Sequence, residues 1–350
     1  MVVNVLVSVA GQALLLNKYQ GVGMLKKFIF VLLIMVVAVP VAAQEITVED
    51  DKRYGQLSYN LPLNHPITIN ITYKTNEGGA GLEATETVEL TALRPDGDTV
   101  IYRAKTLAAD LISVTGAPDM LKEALVEIGK SSIGMAYEYS ADATGYPLEI
   151  TDTRPVNKFI KKAGKSLKKW VKKFAKKNKL SKAERAQVMA IMDQSLVPFL
   201  SKDKEALSRL VLENPQLVFY GTGRGLYLDY YTGFDTARYL EDAEVNFHTV
   251  DEWAIDNWDA ENGVAELSFT QKLNEEEFKA FLGRLRTALE AENNPNIETT
   301  IAAFRAIKMT REGSYKMDMK TGLPLSGTVT SNTFVNGKDE TEIIDFTVKY

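Results

Sequence analysis

Thr144-Gly145-Tyr146-Pro147-Leu148-Glu149-Ile150-Thr151 returns later in the chain as Thr321-Gly322-Leu323-Pro324-Leu325-Ser326-Gly327-Thr328, identical at five of eight positions. An aspartate stands just upstream of each copy, Asp142 and Asp318. Before that comes a strand-like run holding Gly and Tyr: Gly134 with Tyr137 and Tyr139, then Gly313 with Tyr315. Together these residues describe a strand–turn–strand unit. Asp bonds its own backbone, Gly accepts positive φ, and Pro presets the first residue of the returning strand. Because Pro cannot donate to a ladder, that strand begins at a sheet edge or at a bulge.

A helical pattern precedes each copy. The spacing predicts a short helix over 119–129, with Leu121, Leu125 and Ile128 on one face. A longer one covers 274–292, capped by Asn274 with Glu277 three residues on, and carries Phe278, Phe281, Leu282, Leu285 and Leu289. Residues 67–73 alternate apolar and polar as a half-buried strand does. Arg94-Pro95-Asp96-Gly97-Asp98 is a tight turn, and Asn336-Gly337 is a type I′ hairpin signal between 328–335 and 342–350. The expectation is an α+β fold of two related antiparallel-sheet lobes, each with a covering helix, over 44–152 and 215–350. An all-helical insertion, 153–214, joins them.

Residues 24–44 set the address. Lys26 and Lys27 precede an apolar run from Phe28 to Val39, which Pro40 ends before Val41-Ala42-Ala43. That is the pattern of a secretory signal peptide, Met24 to Ala43, cleaved after Ala43. The run is shorter than the roughly 20 apolar residues of a membrane span. Residues 1–23 read as an upstream extension outside the fold. Export to the periplasm or beyond is therefore expected. The leader and its extension carry Lys18, Lys26 and Lys27 and no acid, so their loss takes the net charge from −5 to −8. Such a chain has no bulk electrostatic reason to bind nucleic acid. Cysteine is absent, which excludes disulfides, lipid attachment through a lipobox and thiolate zinc sites.

The insertion changes composition abruptly, with twelve lysines between Lys158 and Lys182. Phe159, Ile160, Ala163, Leu167, Trp170, Val171 and Phe174 fall at three- and four-residue spacings and make one apolar stripe. Ser181-Lys182-Ala183-Glu184 is a capping box opening a second helix to about residue 200, and a third begins near Ser201 with Leu207, Leu210 and Val211. A basic amphipathic helix with aromatic residues on its greasy side suits an anionic lipid or envelope surface. The contact residues would be Lys165, Lys168, Lys169, Trp170, Lys172, Lys173, Phe174, Lys176 and Lys177. The plainer reading packs the stripe on a lobe and solvates the lysines.

Catalytic patterns are scarce. His65 lies in a turn and His248 on a strand, and no Gly-x-Ser-x-Gly elbow accompanies them. Ser166-Leu167-Lys168-Lys169, Ser58-Tyr59-Asn60 and Lys320-Thr321-Gly322 imitate penicillin-binding motifs in the wrong order, and the last belongs to the repeated turn. Gly129-Lys130-Ser131 and Gly164-Lys165-Ser166 lack the earlier glycine of a phosphate loop. The acidic stretch from Asp256 to Gly263 fails calcium-loop spacing because Trp258 takes a ligand position. Neither cofactor nor metal nor catalytic residue is expected. Residues 217–231 read as an aromatic hairpin around Gly221-Thr222-Gly223. Tyr220 and Tyr227, with Trp253 and Trp258 among carboxylates, could stack sugar rings.

The leader, the doubled Asp…Thr-Gly-x-Pro-Leu turn and the intervening helices resemble a group of secreted bacterial proteins without an assigned activity. In architecture the lobes are similar to the lipoprotein-carrier half-barrels of the bacterial periplasm. That resemblance implies binding of an acyl chain or other amphipathic small ligand. The reading is a soluble, non-enzymatic exported protein that binds an amphipathic ligand or the envelope surface. The alternative binds or hydrolyses envelope polysaccharide through carboxylates such as Asp256 and Asp259.

Overall fold

The computed structural model describes residues 54–350 apart from 58, 78–79, 117–118, 178, 180, 183–184, 187–202, 229, 241–244, 293 and 336. The expected leader and most of the expected helix over 181–200 lie outside the described residues.

In chain order the first half holds β1 (Tyr54–Gln56), β2 (Pro66–Glu77), β3 (Ala80–Asp96), β4 (Thr99–Thr115), α1 (Asp119–Ser132), β5 (Ala136–Ala141) and β6 (Pro147–Ile150). Two helices follow, α2 (Arg154–Lys177) and α3 (Lys204–Val218). The second half holds β7 (Gly225–Tyr227), β8 (Thr232–Leu240), β9 (Val245–Asp259), β10 (Val264–Leu273), α4 (Glu275–Ala291), α5 (Ile297–Arg305), β11 (Lys308–Asp318), β12 (Pro324–Val335) and β13 (Lys338–Lys349).

The two expected lobes are one sheet. Eleven strands pair antiparallel in the order β6-β5-β4-β3-β2-β13-β12-β11-β10-β9-β8. The junction is the pairing of β13 with β2, continuous from Glu340↔Glu77 to Lys349↔Thr68. Separate lobes would each leave a long alternating strand with unpaired backbone groups, and joining the two satisfies both edges. The hairpin expected over 217–231 is also corrected. Leu217 and Val218 end α3, and β7 pairs with β1 rather than with β8.

The repeated turn forms both times. Asp142 Oδ1 accepts from Thr144 N at 2.8 Å and Tyr146 N at 3.0 Å, and Gly145 takes φ +81°. Asp318 accepts from Lys320 N at 3.0 Å and Thr321 Oγ1 at 2.7 Å, and Gly322 takes φ +65°. Pro147 opens edge strand β6, whereas Pro324 opens β12 inside the sheet, at a register shift beside Met317.

Helix α3 lies on one face of this sheet and ties its halves together. Pro215 lacks the N–H that would bond Val211 O, and Tyr137 of β5 donates its hydroxyl to that carbonyl instead, at 3.1 Å. Tyr315 of β11 does the same for Leu217 O near the helix end, at 2.6 Å. Both tyrosines come from the strands that lead into the repeated turns. Leu207, Leu210, Val211, Leu217 and Val218 then join Ile67, Ile69, Ile71 and Tyr73 of β2 in one main core. Smaller clusters gather Leu240, Phe247 and Met309 beneath Phe278 and Phe281 of α4, and Leu285 and Leu289 against Ile301 of α5.

Candidate functional site

Cross-strand register sorts the inner face, the one carrying α3, into rows. Trp253–Phe269–Gly313–Val329–Ile344–Tyr73 form an apolar row across β9 to β2. Gly313 belongs there because a Cβ would sit 2.5 Å from the Phe269 ring and 3.0 Å from Thr328 O. Two residues along each strand the character changes, and the next row reads Asp251–Gln271–Arg311–Ser331–Glu342–Thr75. Polar residues on a core-facing sheet must find partners, because desolvation without hydrogen bonds is costly.

Most of them do. Asp251 is fully buried and accepts from Tyr220 OH, from Thr236 Oγ1 at 2.9 Å and from Gln271 Nε2 at 2.8 Å. Arg224 completes this cage, 3.9 Å from Asp251 and 2.8 Å from Tyr220 O. Its guanidinium lies over Tyr220, Phe234 and Trp253, within 4.8 Å of each ring centre. Burial, followed by the Asp251 charge, pushes the Tyr220 hydroxyl well above its ordinary pKa, so it stays a neutral donor.

Past this cage a cavity of about 130 Å³ opens between α3 and the sheet. Arg209, Glu213, Gln216 and Tyr220 line it from the helix side at spacings of four, three and four. Arg238, Gln271 and Arg311 line it from the sheet, and Tyr146 from the first repeated turn. A second, apolar cavity of only about 20 Å³ lies between Ile69, Tyr137 and Val218. The buried Asn214 amide faces it with neither polar atom bonded among the described residues. On the outer face a groove of about 530 Å³ runs over Asn70, Thr72, Glu266, Ser314, Thr328 and Asp345, and it includes Asp256.

The sequence-derived residues fall as follows. Lys165, Lys168, Lys169, Lys172, Lys173, Lys176 and Lys177 are all exposed on α2. Trp170 is half-buried against the main core, and its Nε1 donates to Glu123 of α1 at 3.2 Å. The side chain of Phe174 lies outside the described residues. Trp253 has no exposed surface and stacks on Phe269 with ring centres 4.7 Å apart, while Trp258 is packed against the same core. Tyr220 belongs to the Asp251 cage, and Tyr227 is on β7, where its N–H donates to Thr232 Oγ1 at 3.2 Å. Asp256 accepts from Ser268 in the outer groove. Asp259 is at the β9–β10 turn, outside that groove's lining, where hydrogen bonds from Asn262 hold its carboxyl below the usual range. The sequence reading missed the Arg238–Arg311 pair. Its only local signal was an arginine at a core-facing strand position in each case.

No family model and no curated protein matches the chain. Among solved structures, a lipovitellin structure titled for its lipid–protein interactions covers 81% of this chain at 8% identity, with a TM-score of 0.35. This chain spans 25% of that one. A porin-like protein from Bacteroides uniformis ATCC 8492 covers 83% of this chain and 100% of its own at 10% identity, with a TM-score of 0.16. Both scores are too low for either likeness to say anything about what this chain does.

Proposed function

We propose that this protein is exported and docks, as a folded body, on anionic lipid surfaces through the lysine face of α2. One observation carries the reading. The apolar stripe of α2 (Val156, Phe159, Ile160, Ala163, Val171 and Ala175) is buried in the body, so its ten lysines form a fixed cationic face on a helix without a single acid. The helix therefore binds by charge and not by inserting its stripe. Near an anionic leaflet each lysine contributes about 1 kcal/mol, enough in sum for reversible binding. Among the described residues, the apolar cavity between Ile69, Tyr137 and Val218 holds about 20 Å³, far below the roughly 300 Å³ of a ligand pocket, so it gives acyl-chain capture no support.

Pelleting with phosphatidylglycerol vesicles tests it. The purified protein is expected to pellet at low salt and to ignore phosphatidylcholine vesicles. Replacing Lys172, Lys173, Lys176 and Lys177 by glutamine removes up to about 4 kcal/mol of attraction. It should therefore weaken binding by more than about tenfold. Unchanged binding in that variant would refute the reading. Export itself is tested by the amino terminus of the native protein, expected at Gln44.

A further inference from the structure

Four arginines lie on or beside α3, Arg209, Arg224, Arg238 and Arg311, and two of them have a carboxylate partner. Arg224 is held in the Asp251 cage, and Arg209 pairs with Glu205 at 2.5 Å while lying 4.4 Å over the Tyr239 ring. The other two pair with no described carboxylate. Among the described residues, Arg238 reaches Thr310 O at 3.4 Å and Thr333 Oγ1 at 3.5 Å and no other acceptor. Arg311 donates from Nε to Ser331 Oγ at 2.9 Å, and its terminal nitrogens meet no acceptor among the described residues.

Neither guanidinium forms an ion pair with a described carboxylate. The acids facing Arg238 are Glu213 on α3 with Glu340 and Glu342 on β13. Burial, followed by the charge of Arg311, pulls Arg238 down to about 9. Two like charges thus open into one cavity with donor directions to spare. Beside them Gln271, only 4% exposed, has its Nε2 committed to Asp251 and its Oε1 without a partner among the described residues.

The geometry points to an oxyanion site in this cavity, built for a phosphate group whose oxygens accept from Arg238 and Arg311 and whose P–OH donates to Gln271 Oε1. The fork of a guanidinium matches a phosphate edge, and paired charge-assisted bonds are the strong class. Sulfate and carboxylate carry no proton for Gln271 near neutral pH, so the lone acceptor selects against them. The same group could arrive as a free ion or as the phosphomonoester head of a lipid such as phosphatidic acid, since a diester head carries no P–OH. The site does not depend on α2.

Calorimetric titration of the purified protein at about pH 6, where phosphate keeps its proton, tests the site. Inorganic phosphate is expected to bind at least about tenfold more tightly than sulfate, the scale of one charge-assisted hydrogen bond. If glycerol 3-phosphate binds more tightly than inorganic phosphate, the headgroup is the source, and the reverse order identifies the free ion. Arg311→Gln should weaken phosphate binding at least about tenfold, and Arg311→Lys, which keeps charge but loses the fork, by less. Glu213→Gln removes a facing carboxylate and should tighten binding, a gain that damage to the fold cannot produce. Absence of phosphate binding, equal affinity for sulfate, or an unchanged Arg311→Gln variant would overturn the assignment. So would weaker binding in Glu213→Gln.

Discussion

Single residues set the interior because several polar groups lie where desolvation is nearly complete. Asp251→Ala strands Arg224 without its counter-ion and should cost about 3 kcal/mol in urea unfolding, the loss typical of breaking a buried pair. Asn214 presents the opposite case, since the residue is 2% exposed and its amide bonds nothing among the described residues. Asn214→Leu should therefore raise stability, by about 1 kcal/mol. Tyr137→Phe leaves Val211 O unpaired and should cost about 1–2 kcal/mol. Pro215→Ala returns the missing helix donor, so in that background the Tyr137→Phe penalty should shrink, a coupling that a double-mutant cycle measures. Full additivity of the two changes would contradict the assigned role of the hydroxyl.

Elements were largely legible in the sequence, and their partners were not. Asn274 caps α4, accepting from Glu276 N and Glu277 N at 3.2 Å each, because side-chain chemistry at a helix start acts within one turn. Gly97 and Gly337 close two-residue hairpins at positive φ for equally local reasons. The pairing of β2 with β13 joins the first and last long strands of the chain, and nothing in either strand's alternation names the other. The phosphate cavity was hidden in the same way. Arg238, Gln271 and Arg311 meet only after register and α3 are fixed, and each alone reads as a polar residue on a strand. The repeated turn gives a direct test at this scale. A Cβ at Gly145 would run into the Tyr59 ring at φ +81°, whereas Gly97 has open space around it. Gly145→Ala should cost well over 1 kcal/mol in urea unfolding, and Gly97→Ala only about that, from strain alone. Equal costs would count against the packing of Tyr59 on the turn.

The whole molecule behaves as one body because its halves share a sheet and a helix. Urea unfolding should proceed in a single transition reported alike by probes on both halves. Buried tyrosines add a pH signature. Burial raises Tyr137, Tyr139 and Tyr315 well above their ordinary value and Tyr146 to about 12. Between about pH 10 and 12 the unfolded chain loses these protons while the folded one keeps them, so stability should fall steeply as pH rises through that window. On this frame α2 displays lysines outward and keeps Val156, Phe159, Ile160, Ala163, Val171 and Ala175 buried. Vesicle pelleting of the purified protein as salt rises from about 0.01 M to about 1 M measures the consequence most directly, since the screening length shrinks from about 30 Å to about 3 Å. Binding to phosphatidylglycerol that disappears over this range is the expected result. Binding that persists at the upper end would mean that apolar insertion, not the lysine face, holds the protein to lipid.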